Sequence, residues 1–112
     1  MNKDKGICLV LRHLNCNQEK YYVATFDEVV AEIRDLNGYK YFTTKDKYKY
    51  NVYDYATGMI IVSARKTVAE CAKYVEDVLP KLQTTFKNKF YHDVLNLANA
   101  YRLEHDIPTY EL

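Results

Sequence analysis

The chain has 112 residues, a formal net charge of +1, 48% hydrophobic and 28% charged residues. This is one globular domain by size, too apolar and aromatic to be disordered, with no global field to drive it onto nucleic acid or membrane. The longest apolar runs, Ile7 to Leu11 and Gly58 to Val62, fall far short of the roughly 20 residues a membrane helix needs. The polar start Met1-Asn2-Lys3-Asp4-Lys5-Gly6 does not read as a secretory signal. Three cysteines, Cys8, Cys16 and Cys71, form no disulfide framework, and the default compartment is a reducing cytoplasm.

Taken in chain order, Ile7–Arg12 and Tyr21–Thr25 predict two strands around Leu14-Asn15-Cys16-Asn17-Gln18, a turn composition. Thr25-Phe26-Asp27-Glu28 then has the form of a capping box, followed by Phe26, Val29, Val30, Ile33 and Leu36 at helical spacing. Asn37-Gly38 supplies a C-terminal cap. A helix is expected over this stretch. From Tyr39 onward tyrosine alternates with lysine, in Tyr39–Phe42 and Lys47–Tyr55, the period-2 pattern of half-buried strands. Turns are expected at Thr44-Lys45-Asp46 and Ala56-Thr57-Gly58, with a third strand over Met59–Ser63.

Thr67-Val68-Ala69-Glu70 repeats the capping box, and Val68, Cys71, Ala72, Val75, Val78 and Leu79 form its stripe. Pro80 is expected to end or kink this helix. The two box-and-stripe stretches superpose by residue type, though such patterns are common enough for coincidence. A last helix is expected from Thr85 to Glu104, buried along Phe86, Phe90, Val94, Leu97, Ala98 and Tyr101, with a looser tail over 106–112. The order ββαβββαα gives a single α+β domain, an antiparallel sheet with helices packed on one face. Its expected core is Ile7, Leu9, Val23, Val29, Val30, Ile33, Val52, Ile60, Val75, Leu79, Phe90 and Val94.

Catalysis has little to rest on. Cys8, His13 and Cys16 lie close in sequence, yet there is no C-x-x-C and no second close pair of ligands for zinc. No glycine-rich phosphate loop is present, and a thiol nucleophile would need a nearby base such as His92, a proximity that sequence spacing does not establish. A protein without enzymatic activity, cofactor or metal is expected.

What stands out is 12 tyrosines, six of them between Tyr39 and Tyr55. Around them Lys40, Lys45, Lys47, Lys49, Arg65 and Lys66 face only Asp46 and Asp54, a local excess of four positive charges. The expected first helix opposes them with Asp27, Glu28, Glu32 and Asp35 against Arg34. Regional charge of this kind steers partners. Tyrosines beside cations suit stacked bases and phosphates. Tyrosines as large, low-entropy contacts suit a protein interface. An ordinary strand with buried rings and solvated lysines explains the same alternation without a partner.

The segment Tyr50-Asn51-Val52-Tyr53-Asp54-Tyr55-Ala56-Thr57-Gly58-Met59-Ile60-Ile61-Val62-Ser63, followed by Thr67-Val68-Ala69-Glu70, resembles a hairpin-then-helix pattern of small phage proteins. It is also similar to the N-terminal arm-binding domain of phage integrases. That resemblance implies a three-stranded sheet laid in a DNA major groove and backed by a helix.

Two functions are therefore expected. The first is a binding protein of phage or mobile-element type, a stoichiometric inhibitor or regulator of a host protein in the manner of anti-CRISPR proteins. Tyr48, Tyr50, Tyr53 and Tyr55 would anchor it, with Lys40, Lys47, Lys49 and the acidic Asp27, Glu28, Glu32 and Asp35 completing the contact. That host protein could belong to a nucleic-acid-handling complex. The alternative is a small nucleic-acid-binding module in which Lys40, Lys47, Lys49, Arg65 and Lys66 contact phosphates.

Overall fold

A computed structural model describes residues 5–16, 18 and 21–111. The order is five strands and then two helices: β1 (Lys5–Cys16), β2 (Tyr22–Leu36), β3 (Tyr39–Asp46), β4 (Lys49–Asp54), β5 (Ile60–Arg65), α1 (Val68–Thr85) and α2 (Lys89–Glu104). The strands form one antiparallel meander in sequence order. The domain is α+β, but its order is βββββαα.

The stretch expected to be the first helix is strand β2. Phe26, Val29, Val30, Ile33 and Leu36 are apolar at helical spacing, yet the chain is rich in β-branched residues and is flanked by two strands that can pair with it. Cys16↔Tyr22 through Lys5↔Glu32 make the β1–β2 ladder, and Glu32↔Thr43 through Leu36↔Tyr39 make the β2–β3 ladder. Asn37-Gly38 is a two-residue hairpin turn with both φ values positive, 53° and 89°. That conformation is the type I′ pattern that Asn-Gly favours as strongly as a helix cap. The acidic residues of this stretch therefore alternate across a sheet and do not share one helix face.

Other boundaries shift by a few residues. Leu14, Asn15 and Cys16 belong to β1, and Asn17 lies outside the described residues. Thr44, Lys45 and Asp46 complete β3, so the turn is Lys47-Tyr48, with Lys47 at φ 56°. Between Leu11 and His13 the register slips, leaving Arg12 as a bulge. The bulge returns Leu14 to the helix-bearing face opposite Ala24.

Helix α1 begins as expected, with Thr67 Oγ1 accepting from the Glu70 N–H at 3.1 Å. Glu70 accepts from the Lys66 N–H at 3.0 Å, one residue earlier than a standard capping box. Pro80 does not end the helix, which runs on to Thr85. Its position is exposed, and the Thr84 and Thr85 hydroxyls donate to the Pro80 and Lys81 carbonyls. Asn88, not Thr85, opens α2. Within the tail, Ile107 is buried and Asn99 exchanges two hydrogen bonds with the Tyr110 backbone.

The sheet uses both faces. On one, Tyr41 and Val52 pack against Cys71 and Val75 of α1, while Leu9 and Phe26 pack against Ala98 of α2. On the other, Cys8, Val10, Ala31 and Phe42 form a buried cluster joined by Val29, Ile33, Tyr53 and Tyr55. All of these come from the sheet or from the loop after β4, so the sheet curls to bury its own concave face. The β4–β5 loop completes the curl, where the Leu11 N–H donates to the Gly58 carbonyl at 3.0 Å. Gly58 has a positive φ, and a Cβ there would stand 2.5 Å from the Leu9 carbonyl oxygen. Only glycine permits this approach.

Of the expected core, Leu9, Val52, Val75 and Val94 are fully buried, and Val29, Ile33 and Leu79 are half-buried. Ile7, Val23, Val30, Ile60 and Phe90 are exposed instead. Ile7 and Val30 face each other across β1–β2, on the stretch of sheet between the contacts of α2 and those of α1. Val30 lies on the helix-bearing face with Phe26, four residues earlier, but neither helix covers it there.

Candidate functional site

The expected tyrosine face is divided by the pleat. Tyr50 joins the cluster under α1, Tyr53 stacks on Phe42 inside the curl at 5.1 Å, and Tyr55 lies in the loop against Tyr110. Tyr48 alone stands free in solvent, 89% exposed at the β3–β4 turn.

The acidic set is divided too, and each member has a partner within the protein. Asp27 pairs with Arg12, Glu28 accepts from the Tyr101 hydroxyl, Glu32 pairs with Arg34, and Asp35 accepts from the Gly38 N–H. Asp27 and Asp35 lie on one face of β2, Glu28 and Glu32 on the other.

The cations fare differently. Lys45, Tyr50 and Arg65 form a row across β3, β4 and β5, since Lys45 registers with Tyr50 and Tyr50 with Arg65. The Lys45 ammonium lies 5.8 Å from the Tyr50 ring, and the Arg65 guanidinium 4.7 Å from the Tyr74 ring. Arg65 Nε is buried without a hydrogen-bond acceptor. Lys47 and Lys49 flank Tyr48 in the turn, and Lys66 follows Arg65. None of these five cations reaches a carboxylate at ion-pair distance among the described residues. Lys40 does not join them: it sits at the far end of β3, opposite Asp35, roughly 20 Å away at a strand's rise per residue.

The broad faces of β3 and β4 are taken up by α1 on one side and by the curled sheet on the other.

A second polar assembly joins residues far apart in sequence. Asp54, 4% exposed, accepts from the Tyr39 hydroxyl at 2.8 Å, the Tyr91 hydroxyl at 2.9 Å, and the Thr57 hydroxyl and N–H at 2.6 and 3.2 Å. Burial, reinforced by the Asp54 charge, pushes both tyrosine pKa values far up. Beside it Arg102, 1% exposed, donates to the Tyr55 and Ala56 carbonyls at 2.7 and 2.9 Å and to Asn99 Oδ1 at 2.9 Å. Together they tie the β4–β5 loop to α2. The signal for Arg102 was its place on the stripe Tyr91, Val94, Leu95, Ala98 and Arg102, where a cation marks a buried polar task. The signal for Asp54 was Asp-x-x-Thr-Gly, an acidic turn residue preceding a threonine it can accept from.

Cys8 and Cys71 are buried and Cys16 is exposed, with no disulfide among them. Burial pushes the Cys8 thiol up to about 11, a poor nucleophile at neutral pH. Among the described residues no three His, Cys, Asp or Glu side chains gather as a metal site, and no helix is long and apolar enough to cross a membrane. Comparison with protein-family models, curated proteins and solved structures finds no match.

Proposed function

We propose that this is a non-catalytic binding protein of the cytoplasm and that its partner is a nucleic acid, held by the basic end of the sheet. The observation that carries this is the contrast in charge. The acidic residues of β2 are engaged within the protein, whereas Lys45, Lys47, Lys49, Arg65 and Lys66 lie at the end of the sheet that carries the exposed Tyr48, against only Asp46 and Glu70, the latter already bonded to the Lys66 N–H. Lysine ammoniums neutralise phosphates, and an exposed ring offers a base something to stack on, worth about 1–3 kcal/mol.

Fluorescence anisotropy with labelled single-stranded and duplex oligonucleotides at low salt tests the proposal. Binding should fall with salt at a log–log slope of about −0.7 to −0.9 per phosphate neutralised. Lys47→Glu with Lys49→Glu should weaken all sequences alike, and Tyr48→Ala should weaken single strands most. The proposal fails if no complex forms, or if the lysine variant binds as tightly as the parent.

One observation favours a second reading, the host-protein inhibitor or regulator of phage type. Ile7 and Val30, 45% and 75% exposed, stand side by side on an otherwise polar stretch of sheet, the kind of apolar centre that protein contacts use. A pull-down after nuclease treatment separates the two. A partner lost on Val30→Lys but kept by the Lys47/Lys49 variant favours the inhibitor, and the reverse pattern favours nucleic acid.

A further inference from the structure

A cleft of about 430 Å³ opens between the Asn37-Gly38 turn, the end of α1 and the start of α2. This is within the range of small-molecule sites, and it lies apart from the basic end of the sheet. Its walls are aromatic. The Tyr39 and Phe86 rings stack at 5.3 Å, Phe86 meets Tyr91 at 5.0 Å, and Tyr110 closes the side toward the tail. Leu79 and Gln83 of α1 form the mouth.

Asp54 is the one carboxylate in this lining. Its two oxygens are unevenly used: Oδ2 accepts three hydrogen bonds, from Tyr91 and twice from Thr57, while Oδ1 accepts one, from Tyr39. A carboxylate has about four acceptor directions, two on each oxygen, so one on Oδ1 is unfilled. Tyr39 and Tyr91, the donors to Oδ1 and to Oδ2, both line the cleft, whereas Thr57 does not. Among the described residues Asp54 also has no cation in hydrogen-bond contact. Arg102, the nearby guanidinium, spends its donors on the Tyr55 and Ala56 carbonyls and on Asn99. The cleft thus offers a buried anion with one open acceptor site, surrounded by ring faces that attract cations. Lys40 and His92 at the rim are the opposing basic groups, and Lys40 faces Asp35 across the β2–β3 ladder.

We propose that this cleft binds a small organic ammonium ion with an apolar or aromatic body, its N–H donating to Asp54 Oδ1 and its charge lying against the tyrosine and phenylalanine rings. A neutral molecule of the same shape would fill the walls but leave the carboxylate unmatched, so charge is the discriminating feature.

The test is an amide NMR titration of the full chain with benzylammonium chloride and, in parallel, with benzyl alcohol. Benzylammonium should shift amides of the Asn37–Lys40 turn, the Asp54 loop and the start of α2, saturably, and benzyl alcohol should bind about tenfold more weakly or worse. Gln83→Arg, at an exposed position of the cleft lining, should weaken benzylammonium several-fold and benzyl alcohol far less. Asp54→Asn should abolish the preference, with the spectrum itself reporting whether the fold survives. Equal binding of the two probes, saturable shifts elsewhere, or no saturable shifts would each overturn the proposal. So would a Gln83→Arg variant that binds benzylammonium as well as the parent does.

Discussion

Replacing Arg102 with methionine should destabilise the protein by about 2–4 kcal/mol. Methionine keeps the length and apolar stem of the side chain but removes every donor. The Tyr55 and Ala56 carbonyls would then be left in a dry site, at about 1–3 kcal/mol each, whereas Asn99 Oδ1 keeps the Tyr110 N–H. Against this loss stands the relief of no longer burying a guanidinium, which often makes a buried charge replaceable by a hydrophobe. Here the acceptors are backbone carbonyls that no substitution removes, so the relief is partial. A domain of 112 residues is stable by about 6–17 kcal/mol, so the variant should fold and be measurable. Urea unfolding at pH 7, followed by far-ultraviolet circular dichroism, should show the midpoint falling by about 1–2 M at an unchanged slope. Arg102→Lys should fall between, since one ammonium cannot serve two carbonyls and an amide in a fixed fork. A midpoint for Arg102→Met within about 0.3 M of the parent would refute the idea that this side chain clamps the loop.

Three further outcomes are expected. Gly58→Ala should cost well over the ~1 kcal/mol expected of Gly38→Ala, because both have positive φ but only the Gly58 Cβ collides with backbone, 2.5 Å from Leu9 O; equal melting temperatures for the two variants would contradict this. With a thiol-specific reagent at pH 8, only the exposed Cys16 should react in the folded protein, and all three cysteines after unfolding; prompt reaction of Cys8 or Cys71 would show that the sheet opens. Stability should decline in alkali. Cys8 is raised from 9.0 to about 11, and Tyr39 and Tyr91 are raised from 10.0, so the unfolded chain gives up these protons first. The stabilisation is therefore complete below about pH 9 and lost progressively above it, and a urea midpoint unchanged between pH 7 and pH 10.5 would rule this out.

Much of the molecule follows from local sequence. The Thr67 cap and the Val68–Leu79 stripe make α1, and the tyrosine–lysine alternation makes β3 and β4. Lys47-Tyr48-Lys49 is basic and aromatic in any fold, and a tight turn between strands leaves such a tip in water. Thr25–Leu36 is different. Its apolar residues satisfy a helical stripe, its Asn-Gly serves equally as helix cap or hairpin turn, and its β-branched residues suit a strand. Backbone hydrogen bonds decide between them. In a helix they close within the segment, whereas in β2 they are supplied by β1 on one side and β3 on the other. Partners distant in sequence thus settle what local periodicity leaves balanced. That choice sent Asp27 and Glu28 to opposite faces and placed Val30 on a stretch of the sheet that neither helix covers. Long-range packing likewise made the Asp54 network, since Tyr39, Asp54 and Tyr91 meet only when the loop, the sheet and α2 come together.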